Sequence, residues 1–377
     1  MADAKRILHI VSAMNRGGTE TLLMNIYRNL DKTQVQFDFV THREEKCDYD
    51  DEITNLGGEI YKIPSLGSAG PINYIKELKR ITSSKRYIAV HSHTDYQSGF
   101  PILAAKLTGI NKRISHSHSN QWTKGNSFKE KLTLKILRKI IKYSATDYCA
   151  CSLEAGQFLF GSKLVDQGNV HILKNGIDVS KFLNLGECTT SVRREFNIPL
   201  GSNIIGHVGS LSHIKNQEFI LKILRQLLNE GLDVTLILVG KGQLRDYLEN
   251  EAKRLNVYKN IRFAGSRGDI PRLMKAFDIF LFPSIFEGFG IAPIEAQCAG
   301  VPCVVSDVLP KTTDMGLGLM KYVSLDDSIK NWAKEIKKAL EINKPEDKTV
   351  NNNFSKLGFN ILENIPEWLS LYGINND

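Results

Sequence analysis

The 377-residue chain has few of the features that mark secreted proteins, zinc-ribbon proteins or membrane-spanning proteins. Its six cysteines include no CxxC pair, so neither a disulfide framework nor a zinc ribbon is indicated, and a reducing compartment is the simpler interpretation. No uninterrupted apolar run reaches about 18 residues, and the start, MADAKRILHIVSA, has no apolar signal region. We therefore expect a cytoplasmic protein without a transmembrane helix.

The residues that are present are those of a globular protein, with 42% apolar and 24% charged residues. The length suits two domains, each with a sizeable core. The net charge is +8. A surplus of this size is compatible with an anionic partner, such as a phosphorylated small molecule, an acidic membrane or nucleic acid, but it is too common to identify one.

Short apolar runs alternate with segments of helical period along the chain. Because the runs are apolar on both faces, they predict parallel sheets covered by helices. They form two series separated near 175–200, which predicts two Rossmann-like, doubly wound α/β domains at 1–180 and 181–352, followed by a helix over 353–377. The predicted strands are 6–13, 36–41, 58–63, 87–92, 113–118, 146–152, 203–209, 235–240, 261–265, 277–284 and 301–306.

Glycines follow several of the predicted strands in both domains. Ligands of open parallel sheets bind at the carboxyl ends of strands, where glycine lets the backbone approach and helix N-termini hold phosphate. We therefore expect a ligand cleft shared by the two domains. The glycines are Gly17, Gly18, Gly209, Gly240, Gly242, Gly288 and Gly290.

A dinucleotide-dependent dehydrogenase is disfavoured, because GGTET and GKGQLR lack the third glycine of its fingerprint.

Two acids, Glu287 and Glu295, flank the glycines of FEGFGIAPIE at the exit of an apolar strand. Proline suits the first turn of a helix, so we expect a helix to begin at Ala292 or Pro293 and to place Glu295 in its first turn. A carboxylate there can accept two hydrogen bonds from a diol such as a ribose. Pairing with the helix dipole is the alternative for Glu295, but it accounts for neither Glu287 nor the glycines.

These motifs resemble those of a known family. The stretch PSIFEGFGIAPIEAQCAGVPCVVSD is similar to the EX7E region of retaining GT-B glycosyltransferases of family 4. Further segments resemble motifs of that family in the same order: RGGTE (16–20), CSLEAGQFLFG (151–161), KNGID (174–178), HVGSLSHIKN (207–216) and LVGKG (238–242). The details, including HSHS and ACS, look most like the branch that builds bacterial capsular polysaccharides and exopolysaccharides.

The resemblance implies a retaining hexosyltransferase that moves a sugar from a nucleotide diphosphate sugar to a saccharide acceptor, with a lipid-linked saccharide as the leading candidate. It also implies the GT-B fold, in which two Rossmann-like domains face each other across a cleft and a C-terminal helix returns to the first domain. No cofactor, metal or nucleic-acid partner is expected. An epimerase or phosphorylase of the same architecture remains an alternative.

The resemblance also assigns roles to single residues. Glu295 is expected to hold the ribose hydroxyls, Glu287 the hydroxyls of the donor sugar, and Lys215 the diphosphate leaving group. His118 best matches a histidine of the first domain near the donor sugar, so Glu287, Lys215 and His118 are the expected catalytic residues. The expected donor-binding residues are Gly17, Gly18, Ser210, Lys215, Gly288, Phe289, Gly290, Ile291, Ala292 and Glu295.

Ser210 departs from the family pattern, which often has arginine at this position. A hydroxyl contact to phosphate is far weaker than an arginine fork. The site then depends on Lys215 alone or recruits Arg16, Lys241 or Arg267. A catalytically degenerate subunit that activates a partner glycosyltransferase is the alternative that Ser210 supports, whereas the intact Glu287, Glu295 and Lys215 argue against it.

Two HSH segments place His91 with His93, and His116 with His118, on shared strand faces where they could chelate a metal. No neighbouring Cys, Asp or Glu completes a ligand set, so a metal site is not expected. The acids of CDYDDE (47–52) contain a formal Asp-x-Asp, but a solvated loop is favoured there.

The stretch 124–143, KGNSFKEKLTLKILRKIIKY, is basic and amphipathic. Phe128, Leu132, Ile136 and Ile140 repeat at helical spacing. Such a helix either lies on an anionic membrane at the inner face of the plasma membrane or packs on the first sheet with a solvated outer face, and the sequence leaves both interpretations open.

Overall fold

The first series of apolar runs forms one parallel sheet. In the computed structural model, which describes residues 4–119, 127–183, 185–186 and 188–374, this sheet belongs to a unit made of Met1–Ile177 and Ile361–Asp377. Its strands are β1 (Lys5–Ile10), β2 (Val35–Thr41), β3 (Ile60–Lys62), β4 (Tyr87–Ser92), β5 (Lys112–Ser117), β6 (Asp147–Ala150) and β7 (His171–Ile172). They lie in the order β3-β2-β1-β4-β5-β6-β7, and neighbouring strands are parallel.

The helices of this unit connect and cover the strands. They are α1 (Gly18–Asn29), α2 (Asp50–Asn55), α3 (Leu66–Thr82), α4 (Gly99–Leu107), α5 (Phe128–Ser144), α6 (Leu153–Phe160) and α7 (Ser162–Asp166). The backbone of α3 is kinked at Gly70, whose φ is +71°, and Pro71 follows.

The second series forms the sheet of the unit Asp178–Asn360. Its strands are β8 (Asn203–Val208), β9 (Val234–Val239), β10 (Ile261–Gly265), β11 (Ile279–Phe282), β12 (Cys303–Ser306) and β13 (Met320–Val323). The order β10-β9-β8-β11-β12-β13 is that of a doubly wound Rossmann sheet, with the strand order reversing between β8 and β11. The helices are α8 (Ser180–Leu183), α9 (Cys188–Glu195), α10 (Gln217–Asn229), α11 (Arg245–Arg254), α12 (Ile270–Lys275), α13 (Ile291–Cys298), α14 (Ile329–Leu340) and α15 (Asp347–Lys356).

The predicted α/β class with two parallel sheets is confirmed, and each predicted strand has a counterpart in the structure. Sequence reasoning missed β7 and β13, which are the last strands at one edge of each sheet. Their segments, HI and MKYV, are short and partly polar, so they lack the apolar run that marks a central strand.

The tail does not form the single helix expected over 353–377. Residues up to Asn360 belong to the second unit, and α16 (Ile361–Leu371) returns to the first, as the GT-B resemblance implied. The helical conformation is interrupted between α15 and α16 at Gly358, whose left-handed φ of +70° ends α15. The first unit ends at Ile177, slightly before the expected boundary at 180. Residues 375–377 lie outside the described residues.

The hydrophobic cores of the two units explain why the strands form apolar runs in the sequence. Every residue of β2 and β9 is buried, because helices cover both faces of each sheet. Trp368 and Tyr372, which belong to the C-terminal part of the chain, pack into the core of the first unit beside Phe37 and Leu371. Within the described ranges, none of the helices has both the length and the apolar character needed to span a bilayer.

Candidate functional site

The glycine loops that follow β8 and β9 lie against each other. A Cβ at Gly240, whose φ is +140°, would lie 2.0 Å from the carbonyl oxygen of Gly209. A Cβ at Gly242 would lie 2.2 Å from the carbonyl oxygen of Leu211, whose own N–H donates to Lys241 O at 2.9 Å. The close approach of the loops to each other therefore explains Gly240 and Gly242 without a ligand.

A chain of hydrogen bonds holds the backbone at Ser210. Nδ1 of the buried His207 donates to Leu281 O at 2.9 Å, so its Nε2 accepts from Gln217 Nε2 at 3.1 Å. The same amide donates to Ser210 O at 2.8 Å, while the Ser210 hydroxyl pairs with Ser212 Oγ at 3.2 Å. Sequence reasoning missed His207 and Gln217, although a histidine inside an apolar strand was a signal for a polar partner.

An ion pair joins Lys215, in the 3-10 turn after β8, to Glu287, in the loop after β11. Lys215 Nζ donates to Glu287 Oε1 and lies 4.7 Å from the centre of the Phe282 ring. The two side chains are only 21% and 10% exposed. An ammonium group has three N–H donors, so one paired with a single carboxylate oxygen can still donate to an incoming anion.

Hydrogen bonds between the two loops position this ion pair. Ile285 N donates to Ile214 O at 2.8 Å, and Asn216 Nδ2 donates to Pro283 O at 3.1 Å. Asn216 takes the left-handed conformation, with φ of +55°, where α10 begins. The structure thus brings together two residues that the resemblance had assigned to the donor sugar and the diphosphate.

The helix α13 begins one residue earlier than the sequence predicted, at Ile291. Gly290 precedes it with φ of +80°, a conformation that favours glycine. Pro293 is the third helical residue, where the missing N–H costs no intrahelical hydrogen bond. The N–H groups of Ile291 and Ala292 have no partner within the helix, and the N-terminal end of the dipole favours an anion.

Phe289 contributes to this loop through packing. Its side chain is buried and stacks on Phe359, with ring centres 5.8 Å apart and an angle of 18°. Only its backbone can therefore reach a donor. The neighbouring Gly288 is partly exposed, as Glu287 is.

Glu295 does not lie in the first turn of α13, which corrects the sequence prediction. Because the helix begins at Ile291, Glu295 is its fifth residue, and the first turn contains no acid. The side chain is partly buried, and burial raises the pKa of Glu295 to about 8. Pairing with the free amides of the first turn therefore does not explain this acid.

Arg267 is not a free substitute for the arginine that the family often has at position 210. Its guanidinium donates to both carboxylate oxygens of Asp269, at 2.8 and 2.9 Å, and lies 2.8 Å from Glu195 Oε1. These contacts raise the pKa of Arg267 and hold that of Asp269 well below its usual range. Of the other two candidates, Lys241 is exposed in the loop after β9, and Arg16 is exposed in the first unit.

Gly17 and Gly18 stand at the N-terminal end of α1 in the first unit. Gly17 is the N-cap, and Gly18 is the first helical residue. A Cβ at Gly17 would lie 2.3 Å from Glu20 Oε2. Burial raises the pKa of Glu20 to about 7, so this carboxyl group is a further titratable group at the glycine loop that sequence reasoning missed.

His118 directly follows β5 and is partly exposed, whereas His116 is fully buried. The His118 N–H donates to Asp95 Oδ1 at 2.7 Å, and burial raises the pKa of Asp95 to about 6. Burial lowers the pKa of His118 itself to about 3, so its ring is neutral at pH 7. Of the two histidines, His118 is therefore the one that a ligand can reach.

The two HSH pairs share strand faces as predicted, with ring centres 4.1 Å apart in each pair. Sequence reasoning missed His9 on β1, which pairs in register with His91 on β4. The formal Asp-x-Asp of residues 48–50 is engaged within the unit: Lys62 Nζ lies 3.1 Å from Asp50 Oδ2, and the Arg16 N–H donates to Asp48 Oδ2 at 3.3 Å.

Comparison with known proteins identifies the family. The family model "Glycosyltransferase Family 4" matches residues 16–181, and "Glycosyl transferases group 1" matches residues 189–356. The putative glycosyltransferase EpsF of Bacillus subtilis is 38% identical over 377 residues, covering 100% of this chain and 98% of that protein. The chain belongs to the GT-B glycosyltransferases of family 4.

Other glycosyltransferases resemble this one along most of their length. The capsular polysaccharide biosynthesis glycosyltransferase CapH of Staphylococcus aureus is 28% identical over 342 residues, covering 89% of this chain and 90% of that protein. The crystal structure of Anabaena Alr3699/HepE in complex with UDP and glucose superposes with a TM-score of 0.77 at 19% identity, covering 98% of this chain and 99% of that one. At that identity the superposition establishes the GT-B fold alone.

Proposed function

We propose that this glycosyltransferase moves a sugar from a nucleoside diphosphate sugar to a lipid-linked saccharide, with retention at the anomeric carbon and without a metal ion at the donor site. The observation that carries the proposal is the Lys215–Glu287 ion pair, in a unit where the next helix after Glu287, α13, begins with unpaired amides. These are groups suited to a sugar diphosphate: a cation and backbone donors for the phosphates, and a carboxylate for hydroxyl groups.

In this proposal, catalysis is mainly electrostatic. Negative charge grows on the diphosphate as the glycosidic bond breaks, and Lys215 together with the α13 amides stabilises it. Glu287 orients Lys215 through the ion pair and accepts a hydrogen bond from the donor sugar. The leaving phosphate accepts the proton of the acceptor hydroxyl on the same face of the sugar, so the anomeric configuration is retained.

Donor recognition would depend on Glu295 and the glycine loops. A carboxylate can accept two hydrogen bonds from the ribose hydroxyls, which is the role proposed for Glu295. Anabaena HepE was crystallised with UDP and glucose, which makes UDP-glucose the first donor to test on this chain. His118, which is neutral at pH 7, would contact the donor sugar from the first unit.

The helix α5 supports a lipid-linked acceptor. Ser127 and Glu130 form a capping box at its N-terminus. The side chains of Leu137 and Ile141 are buried on the face of the helix that packs against the rest of the unit. Three residues of the predicted apolar stripe, Phe128, Leu132 and Ile136, are instead 83%, 47% and 50% exposed, whereas the fourth, Ile140, is partly buried. The exposed lysines beside the stripe are Lys129, Lys131, Lys135, Lys139 and Lys142.

An exposed apolar stripe flanked by lysines suits the interface of an anionic bilayer better than water. We therefore favour the membrane interpretation of α5 over a merely solvated outer face. Residues 124–126 of the basic stretch lie outside the described residues. CapH acts in capsular polysaccharide biosynthesis, and we propose that this chain likewise adds a sugar to a growing surface polysaccharide at the membrane.

The stereochemistry and the metal requirement can be tested in one experiment. UDP-glucose and a panel of synthetic lipid-linked saccharides would be incubated with the protein, and the product linkage read from the coupling constant of the new anomeric proton. We expect the anomeric configuration of the donor in the product, and an unchanged rate in the presence of EDTA. An inverted linkage, or loss of transfer in EDTA, would contradict the proposal.

A further inference from the structure

Five buried or nearly buried histidines lie together in the first unit. They come from three adjacent strands: His9 on β1, His91 and His93 at the end of β4, and His116 and His118 at the end of β5. His9, His91 and His116 are fully buried, and His93 is 7% exposed. Neighbouring rings bond directly to one another through their nitrogens.

The hydrogen bonds form two short chains. His9 Nδ1 lies 3.0 Å from His93 Nε2, and His93 Nδ1 lies 3.0 Å from His118 Nε2. In the second chain, His91 bridges the hydroxyl of Tyr372, at 2.8 Å, and His116 Nδ1, at 3.1 Å.

Three ring nitrogens at the ends of these chains have no hydrogen-bond partner among the described residues: His9 Nε2, His116 Nε2 and His118 Nδ1. Each neutral imidazole has one N–H and one lone pair. Three neutral rings in a row therefore leave an N–H at one end and a lone pair at the other, and burying such a group unpaired costs about 1–3 kcal/mol. Of the three unpartnered nitrogens, His116 Nε2 is the one whose lone pair a cation bound beside His93 and His118 would satisfy.

We propose that His93, His116 and His118 form a binding site for a transition-metal ion of the zinc class. One ring nitrogen from each of these three histidines lies within 4.8 Å of the other two. The 3.0 Å separation of His93 Nδ1 and His118 Nε2 is close to the roughly 3.3 Å between two ligand nitrogens of a tetrahedral zinc ion. Neutral imidazoles without thiolates favour zinc and its neighbours over calcium or magnesium.

The protons of the cluster are compatible with this site. A metal that takes the lone pairs of His93 Nδ1 and His118 Nε2 replaces the hydrogen bond between them. The proton of that bond moves to the other nitrogen of its ring, so that His93 Nε2–H donates to His9 and His118 carries its N–H on Nδ1. The unpartnered Nε2 of His116 supplies a third lone pair, while its Nδ1–H donates to His91. Burial lowers the pKa of His118 to about 3 and holds those of His93 and His116 well below the usual range, so no ring proton must leave at neutral pH.

A second group of three, His9, His91 and His93, also has nitrogens within 4.8 Å of one another. It is the weaker candidate, because both nitrogens of two of its members, His91 and His93, already have partners, whereas in the first group this holds for His93 alone. His118 is also the only partly exposed member of the cluster, so an ion can enter and a fourth ligand can bind at that end. The two groups share His93, and single substitutions distinguish them.

The test uses the full chain, stripped with EDTA and dialysed, and Co²⁺ as the spectroscopic probe. We expect one Co²⁺ per chain, with the visible absorption of a tetrahedral site, displacement by Zn²⁺, and a higher melting temperature with metal. The His93→Gln and His116→Gln variants should lose the absorption and the melting shift, while His9→Gln and the exposed His171→Gln should retain both. Far-UV circular dichroism and the metal-free melting temperature of each variant show whether it has folded.

Three results would overturn the proposal. These are the absence of a tetrahedral Co²⁺ spectrum in the folded wild type, retention of that spectrum in folded His116→Gln, and loss of it in folded His9→Gln. If His93→Gln does not fold, His116→Gln and His118→Gln decide the question by the same readouts. An ion on His118 would compete with the donor sugar for that ring, so the transfer proposed above belongs to the metal-free form of the protein. Because the assay contains no donor sugar, its result does not depend on that function.

Discussion

Glu295 is the residue at which the structure differs most from the sequence prediction. It lies in the second turn of α13 with a pKa raised to about 8, so at pH 7 it is mostly protonated before a ligand binds. Two ribose hydroxyls donate more strongly to the ionised carboxylate than to the acid. If Glu295 ionises on binding, a proton is released, and nucleotide affinity must rise with pH until the pKa is passed.

We therefore predict that the affinity for UDP rises severalfold between pH 7 and pH 8.5, since one pKa unit corresponds to a factor of ten. Isothermal titration calorimetry at both pH values measures the change. Glu295→Gln removes the titration and should weaken binding by about 1–3 kcal/mol at pH 8.5. The same pH dependence in wild type and Glu295→Gln would assign it to another group and remove Glu295 from the ribose.

In the proposed mechanism, Lys215 is the residue on which stabilisation of the leaving group depends most. Its ammonium is held by Glu287, and no arginine stands at position 210. We predict that Lys215→Ala lowers the rate of nucleoside diphosphate release about 10²–10³-fold, as is usual when one donor to a developing anion is removed.

A coupled assay for free nucleoside diphosphate measures this rate. The exposed Lys259, in the turn before β10 of the same unit, provides the matched control, and Lys259→Ala should keep the wild-type rate. An equal loss in both variants would mean that the effect is one of net charge rather than of position.

Substitution of Gly240 tests the close approach of the glycine loops that follow β8 and β9. Its φ of +140° and the short distance between a Cβ at this position and Gly209 O leave no room for alanine. We predict that Gly240→Ala destabilises the second unit by about 1–3 kcal/mol, the usual cost of a strained backbone position. Urea unfolding measures it, with Gly201→Ala as the control, because a Cβ at Gly201 meets nothing within 4 Å.

At the scale of elements, α5 is the segment for which structure decides between two interpretations of the sequence. The 3.6-residue pattern of Phe128, Leu132 and Ile136 is compatible with either a buried or an exposed stripe, because periodicity gives the face but not its neighbour. In the structure, this stripe is exposed, and α5 packs instead through Leu137 and Ile141.

We predict that the protein co-sediments with vesicles containing anionic phosphatidylglycerol and not with neutral phosphatidylcholine vesicles. A Lys131→Glu/Lys135→Glu variant should weaken binding at least tenfold, since each lysine near an anionic surface contributes about 1 kcal/mol. Leu132→Ser tests the apolar part. Lys334→Glu, which changes an exposed lysine of α14, should bind as wild type does. Equal binding to neutral vesicles would contradict the electrostatic part of the account.

The central strands and long helices were predictable because their signals are local. The run of β9, VTLILV, is buried on both faces, and the period of α10 continues through QEFILKILRQLLN. The edge strands β7 and β13 and the break at Gly358 were not predictable, since each depends on tertiary neighbours rather than on a long pattern.

The candidate site divides in the same way. The motif resemblance proposed Lys215, Glu287 and the glycine loops as donor-binding from the sequence alone, and the structure pairs Lys215 with Glu287. It did not reveal that Glu295 lies beyond the first turn of α13, because a shift of one residue in the helix start changes the turn. It also missed His9, since strand order alone brings β1 beside β4 and completes the histidine cluster.

At the scale of the whole molecule, the C-terminal segment completes the first unit. Trp368 is fully buried, and Trp368 and Tyr372 lie in the same apolar core as Phe37 and Phe39, more than 300 residues earlier in the chain. The first unit therefore cannot finish folding before the end of the chain has been made, whereas the segment Asp178–Asn360 contains its own sheet and core.

We predict that Trp368→Ala destabilises the first unit by about 3–5 kcal/mol and leaves the second unit unaffected. Hydrogen exchange followed by mass spectrometry resolves the two units by their peptides. Leu362→Ala, at an exposed position of α16, should leave both unchanged. Equal loss of protection in the peptides of β8 and β9 would show that the units do not unfold separately.

Release of nucleoside diphosphate from a panel of UDP-, GDP-, ADP- and TDP-sugars by the isolated protein would decide whether this chain is itself an active glycosyltransferase. We predict slow release from one donor class, and loss of that release in both Glu287→Ala and Glu295→Ala. Binding of no donor by the folded protein would contradict the account. Ser210 would then mark a degenerate site, and the chain would act as a partner of another glycosyltransferase.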